Sequence, residues 1–426
     1  MEQIITFISN AMAPIISELG GVAVMPVVWL ILGLVFGIGW RKSLTSAITV
    51  AVGLAGLYLV LGFFLNSITP AATAIAVRFG GEAPLDIIDA NWVFCWGVGY
   101  QPVTVLAIVA GIGINIVMLL LRLTKTLNID IFSDFLGQGL AAAVVYAFTE
   151  NVWLAVGVAV VISAYRLLLA DLFYPVVQRY WKIPGVTFSQ SGVLEWGLLS
   201  WPIAKFLDLF PGLREGRFNE EWVRKHFGIF GETVFLGVIF GALLGILGGL
   251  RWTAVVLLAV NLAATLTLMP RMISILMEAL IPISEGTRDF MMKRGGSREL
   301  YVGMDPAIGT GDRGVLAVAL LMVPITVALA LILPGNRILP LGDLATLVFT
   351  LQFAVAFNKG DILRSLITSI VLVIATLYIA TAAGPLVFQA AKYFGMIDAA
   401  ETATTSCMFI GGQPYWVVLR AMFGTP

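Results

Sequence analysis

A chain of 426 residues carrying 25 basic and 25 acidic side chains has no formal net charge, which argues against nucleic acid as a partner. Hydrophobic residues make up 59% of it and charged residues only 12%, half the roughly 25% of a soluble domain, so the chain reads as an all-α, polytopic membrane protein. With two cysteines and one histidine, neither a metal-ligand cluster nor a disulfide framework is expected, and no cofactor is implied.

The opening stretch "MEQIITFISNAMAPII" lacks the basic region and small-residue cleavage site of a signal peptide, so insertion through the chain's own helices is expected. Apolar segments follow near 21–40, 43–65, 102–122, 136–149, 152–174, 228–249, 252–270, 315–334, 341–357 and 365–388. A bilayer takes about 20 helical residues, and ten or eleven crossings are expected. Ser43 to Val77 holds 35 uncharged residues, too many for one straight span, and "NSITP" at 66–70 is expected to break it into a helix and a re-entrant piece. "YWKIPGVTFSQSGVLEW" (180–196) reads as a second break. Irregular backbone at membrane depth survives only where protein buries it or water lines it, so both breaks point to a transport pathway.

The polar segments Lys205–His226 and Glu285–Glu299 are separated by two crossings and share one side. The Lys and Arg bias makes that side the cytoplasm, joined by Arg41, Lys42, Arg122 and Lys125. The divisions expected are a first membrane half, 1–200, a cytoplasmic loop, 201–227, and a second half, 228–426. The loops serve either as orientation signals or as a docking surface for a soluble partner.

A turn of the form Gly-x-Gln-Pro occurs twice, in "WVFCWGVGYQPV" (92–103) and "SCMFIGGQPYWV" (406–417). Upstream, Lys42-Ser43-Leu44, Leu57-Tyr58 and Phe79-Gly80 recur in order as Arg364-Ser365-Leu366, Leu377-Tyr378 and Phe394-Gly395. Weak internal symmetry of this kind is expected of secondary-transporter folds built from inverted repeats. Pro102 and Pro414 remove a backbone donor, while Gln101 and Gln413 offer uncharged donors and acceptors. Beside Trp92, Trp96, Tyr100, Tyr415 and Trp416 they suit an uncharged, polyhydroxylated ligand; the aromatics fit membrane-interface anchoring equally well. Asp343 and Asp361 stand where helices begin and read as caps. No nucleotide-binding loop is present, which excludes a self-contained ATP-driven pump.

The chain resembles the membrane component, enzyme IIC, of the bacterial sugar phosphotransferase system in its galactitol branch. The likeness rests on "LTKTLNIDIF" (123–132), "KHFGIFGETVFLG" (225–237), "LMPRMISILMEALIPI" (268–283), "VGMDPAIGTG" (302–311) and "LPGNRILPLGDLATL" (333–347). It implies a multi-pass protein of the bacterial cytoplasmic (inner) membrane that carries a sugar alcohol inward for phosphorylation by enzyme IIB, whose phosphocysteine is charged by enzyme IIA. It implies further a homodimer in which a core moves against a scaffold, elevator fashion. On this resemblance Asp305 and Asp312 are the candidate catalytic carboxylates, and Gln101, Gln413, Gln190, Ser189, Asn358, Trp92, Tyr100 and Gln138 the candidate substrate contacts. His226 is expected to be a surface residue, and Cys95 and Cys407 structural. Galactitol members carry Ser-Pro at both Gln-Pro positions and His at Asp312, which puts galactitol itself in question against another polyol, a pentitol or an uncommon sugar. A stand-alone facilitator or ion-coupled carrier of a polyol is the competing reading.

Overall fold

The computed structural model describes residues 37–79, 85–99, 101–183, 185–214, 233–293, 300–340, 343–398, 400–402 and 404–423, with scattered positions between 26 and 34. Among the described residues four helices are long and apolar enough to span a membrane: Pro102–Leu120 (α3), Val152–Trp181 (α6), Arg313–Ile332 (α11) and Ile362–Tyr393 (α14). Around them stand Trp40–Phe79 (α1), Asn91–Gly99 (α2), Ile131–Asp134 (α4), Leu140–Thr149 (α5), Ser191–Leu207 (α7), Pro211–Arg214 (α8), Thr233–Leu247 (α9) and Trp252–Lys293 (α10). The remaining described helices are Leu347–Thr350 (α12), Gln352–Phe357 (α13), Met408–Gly411 (α15) and Tyr415–Phe423 (α16).

Two of the sequence expectations are corrected here. The helix α1 does not break at residues 66–70 but runs through Pro70. One turn before it Ser67 donates to the Phe63 carbonyl at 2.7 Å and accepts from Asn261 of α10 at 3.1 Å. Nor is the chain purely helical. Among the described residues six strands of two to four residues form two small parallel sheets. They are Ile87–Asp89 (β1), Thr126–Asn128 (β2), Val186–Phe188 (β3), Tyr301–Met304 (β4), Ile338–Leu339 (β5) and Thr404–Ser406 (β6). The break expected within 180–196 is present, as the turn that leads through β3 into α7.

Sheet order is β2-β4-β3 in one sheet and β5-β1-β6 in the other. Each sheet thus takes its central strand from one part of the chain and both outer strands from another. The stretch from β1 through α7 and the stretch from β4 through α16 also share an order of elements: strand, helix, strand, broken short helices, long helix, strand, helix. The long helices α6 and α14 match in detail. Each starts from a side-chain cap, Asn151 accepting from Trp153 and Leu154 N–H, and Asp361 from Arg364 N–H. Each follows a left-handed residue, Glu150 and Gly360, and each holds one proline near its C-terminal end, Pro175 and Pro385.

The chain divides into two compact units. The first comprises 1–59, 99–194 and 271–308 and contains the β2-β4-β3 sheet; the second comprises 60–98, 195–270 and 309–426 and contains the β5-β1-β6 sheet. Both units are therefore assembled from early and late parts of the chain, and residues 201–207, expected in a loop, are instead the last turns of α7. Within the second unit α9 lies against α10 through small residues, and a Cβ at Gly241 would run into the Ala259 backbone. Cys95 and Cys407, for which no disulfide was expected, are bonded there, with Cα atoms 6.4 Å apart. Parallel pairing of β1 with β6 brings them together across 312 residues of sequence.

Candidate functional site

Parallel strands that stop at one level deliver whatever follows them to one edge. In the first unit the register sets Asn128 beside Gly303 and Phe188 beside Met304. A step or two later Asp130, Asp305 and the pair Ser189-Gln190 stand side by side at the C-terminal ends of β2, β4 and β3. A Cβ at Gly303 would come within 2.9 Å of both Ser189 Cβ and Thr126 Cγ2, so glycine is what lets the central strand approach both neighbours.

Each of these residues also opens a helix or 3-10 turn. Asp130 Oδ1 accepts from Ser133 N–H at 3.0 Å, and Asp305 Oδ1 from Ala307 N–H at 2.8 Å. Ser189 donates N–H and Oγ–H to the Met304 carbonyl at 3.1 and 3.4 Å. Behind the row, Asp134 forms a buried ion pair with Arg166 of α6 and accepts from Asn128 Nδ2 at 3.2 Å. Asn115 of α3 fastens β2 from the side, donating to the Thr126 carbonyl at 2.8 Å and accepting from Asn128 N–H at 2.9 Å.

Between α4 and α5 the chain makes a π turn, Phe135–Gly139, which swings Gln138 toward α6. Ser163 donates to Gln138 Oε1 at 2.5 Å. Extra turns of this type are frequent at functional sites. Several buried polar atoms of the first unit have no hydrogen-bond partner among the described residues, among them Gln138 Nε2, Arg166 Nε, Gln190 Oε1 and Ser191 Oγ. Buried polar groups are ordinarily satisfied. A set of acceptors and donors left over at one strand edge is chemistry ready for a hydroxylated ligand.

The second unit follows the same strand–acid–helix plan with a different outcome. Asp343 accepts from Trp92 N–H and from Phe409 N–H, both at 2.8 Å, and so ties together the starts of α2 and α15. Asp89 accepts from Asp343 N–H at 2.9 Å and Met408 N–H at 3.3 Å. Here the carboxylates are filled by backbone. Asp343, expected to cap its own helix, caps its neighbours instead.

Of the residues singled out from sequence, Gln138, Ser189, Gln190 and Asp305 gather in the first unit. Gln101 occupies the N-cap position of α3 without a capping bond from its side chain. Gln413, in the second unit, is fully buried, and neither polar atom of its side chain has a hydrogen-bond partner among the described residues. Asp312 caps α11 through Val315 N–H at 2.9 Å. Asn358 donates to Ala354 O and Thr368 Oγ1 and accepts from Arg364 Nε at 3.0 Å, which commits its amide to structure. Trp92 contributes its backbone N–H to Asp343. Tyr100, His226 and most of the basic loop lie outside the described residues.

Sequence reasoning passed over Asp130, Asp134 and Arg166. A usable signal existed, because a short β-branched or apolar run followed by Asp and a helix occurs at Asp89, Asp130, Asp305 and Asp343.

Comparison with known proteins agrees in one direction. A family model described as PTS system sugar-specific permease component matches residues 14–403. A chain of Escherichia coli K12 named by type, as a permease IIC component, is 32% identical over 412 residues, covering 96% of this chain and 93% of its own length. The PTS galactitol-specific EIIC component of the same strain is 30% identical over 412 residues, covering 95% and 89%, and its counterpart in E. coli O157:H7 gives the same figures.

Proposed function

Because this chain belongs to the family of PTS sugar-specific permease components, we propose that it carries a galactitol-like sugar alcohol or related uncharged sugar inward, coupled to phosphorylation by phospho-enzyme IIB. The observation that carries the substrate class is the row Asp130, Asp305, Ser189 and Gln190 with Gln138 nearby. Amides, hydroxyls and carboxyls offer both halves of a hydroxyl's hydrogen bonding, and several of their buried atoms are uncommitted. Gln190, Ser189 and Gln138 hold the polyol, and Asp305 accepts a hydroxyl hydrogen bond. In the transfer, the S–P bond of the partner's phosphocysteine breaks and an O–P bond forms at the substrate oxygen. The thiolate stays on the partner, and the hydroxyl proton passes through a carboxylate such as Asp305 to water. Gln101, Gln413, Trp92, Tyr100, Asn358 and Asp312 are the remaining candidates for contact with substrate along its path.

The finer architecture belongs to the same reading. Residues 87–207 and 301–423 are two inverted repeats that exchange strands, supported by the shared element order and by the matching caps and prolines of α6 and α14. The two compact units suit a core and a scaffold that move against each other, in a homodimer of ten or eleven crossings per chain set in the inner membrane. Enzyme IIB, recharged by enzyme IIA, docks on the cytoplasmic loops.

The test uses membrane vesicles containing the full chain, a panel of labelled polyols and sugars, and phosphorylated enzyme IIB added or withheld. Phosphorylated product that appears only with the partner supports group translocation and names the substrate. Free polyol entering at the same rate without it makes the protein a stand-alone carrier and ends this reading.

A further inference from the structure

The π turn Phe135–Gly139 is held on three sides, all within the first unit. From α3, Thr104 donates to the Gly139 carbonyl at 3.2 Å. At the start of α7, Ser191 comes so close that a Cβ at Gly137 would lie 2.5 Å from its Oγ. From α6, Arg166 pairs with Asp134, the residue before the turn, and Ser163 donates to Gln138 Oε1 at 2.5 Å. The buried face of α6 is otherwise apolar, so its two polar members stand one turn apart and both meet this segment. Helix α14 gives an internal comparison. Aligning its cap and proline with those of α6 sets Val373 in the place of Ser163 and Thr376 in that of Arg166, and the Thr376 hydroxyl donates to the Leu372 carbonyl of its own helix at 2.8 Å. Buried polar pairs of this kind add little stability over well-packed apolar groups; what they fix is geometry.

We propose that Ser163 is a positioning residue for the substrate, acting through Gln138: it fixes the amide so that Nε2 is the end left for a sugar oxygen. The inference rests on the permease reading above, in which Gln138 holds the polyol. A glutamine amide without a fixed partner turns over and offers a donor or an acceptor at the same place. Two oxygens 2.5 Å apart need a proton between them, so the Ser163 hydroxyl directs its hydrogen at Gln138, although the Ala159 carbonyl lies 2.8 Å away. Nε2 is buried and has no hydrogen-bond partner among the described residues. A Cβ at Gly111 would fall 2.5 Å from Nε2 and 2.9 Å from Ser163 Oγ, so a glycine on α3 is what lets the amide and the hydroxyl meet there. The site gains an uncharged donor in a fixed direction, which a hydroxyl oxygen can accept.

Uptake by vesicles holding the full-length protein, with saturating phosphorylated enzyme IIB and labelled galactitol, mannitol or xylitol, tests this; constants are taken with the polyol that enters fastest. Ser163→Ala should raise KM about tenfold and leave the maximal rate within about twofold, because a contact shared by bound substrate and transition state is lost. Ser163→Thr, which keeps the hydroxyl, should stay within about threefold of wild type in KM. Gln138→Ala should itself raise KM about tenfold or more, and adding Ser163→Ala to it should change KM by less than about twofold. An unchanged KM in Ser163→Ala or in Gln138→Ala overturns the proposal, as do equal losses from Ser163→Ala in the two backgrounds. If neither Ser163→Ala nor Ser163→Val gives a monodisperse protein, the hydroxyl is structural and the proposal falls. If no polyol of the three enters, with or without enzyme IIB, the permease reading fails and this inference with it. Uptake in which the two changes simply add removes only the role of Ser163.

Discussion

Replacing Asp343 by Asn tests whether the carboxylate clamp holds the second unit together. Both Asp343 oxygens accept backbone N–H groups at 2.8 Å, from Trp92 and Phe409, and the side chain is fully buried. An amide keeps one acceptor and turns an NH2 toward the other N–H. One charge-assisted bond of about 1.5–3 kcal/mol is lost, and the stranded N–H costs about 1–3 kcal/mol more. Removing a buried charge recovers part of its desolvation cost, so about 3 kcal/mol is expected. For a unit of this size that lowers the melting midpoint by about 6–12 °C. Heating the full-length protein in detergent and following the surviving monodisperse fraction measures the midpoint, while hydrogen exchange reads the Trp92 and Phe409 amides. A midpoint within 2 °C of wild type, with both amides still protected, refutes the clamp.

Arg364 donates through Nε to Asn358 and through its two Nη atoms to the carbonyls of Ala204 and Leu213 and to Asp208. Arg364→Lys cannot reproduce that planar fork, so backbone exchange across 204–214 should rise at least tenfold although the charge is kept. Gly241→Val should cost about 2 kcal/mol or more by forcing α9 from α10, read as a lower melting midpoint, whereas Gly62→Ala, with open space around it, should not. The Asp86–Arg337 pair is half-exposed, and hydrogen bonding from Arg337 holds Asp86 below the ordinary 3.8. Its contribution, under about 1 kcal/mol, is present above pH 3.8 and lost as acid takes the pH below that value. The melting difference between wild type and Asp86→Asn should shrink over that window.

The membrane class, the break at 180–196 and the cap at Asp361 were all legible, because composition and local side-chain-to-backbone bonds act over a few residues; the cap at Asp312 was not foreseen, and Asp343 was assigned to the wrong helix start. The family was legible too, through motifs that run along the chain. Strands of three residues were not: they carry too little alternation to show a period, and their partners lie up to 317 positions away, as Ile87 and Thr404 do. Pro70 misled because a proline inside a long apolar helix removes one backbone bond without ending the helix. Of the candidate site, the uncharged residues were found by their chemistry. Asp134 and Arg166 escaped because each looks like an isolated charge until α6 is laid beside the π turn.

The exchange of strands between chain segments also sets a timetable. When β1 leaves the ribosome neither of its neighbours exists, since β5 and β6 are made some 250 to 315 residues later. At roughly 5–20 residues per second that is a delay of some tens of seconds. Through it, both edges of β1 must wait inside or beside the insertion machinery without pairing elsewhere. β2 and β3 wait in the same way for β4. Neither unit can close before the other half of the chain is inserted, so a ribosome that stalls before residue 404 leaves a product that cannot mature. Co-expressed fragments cut between residues 214 and 233, by contrast, each carry the strands the other lacks, and should assemble.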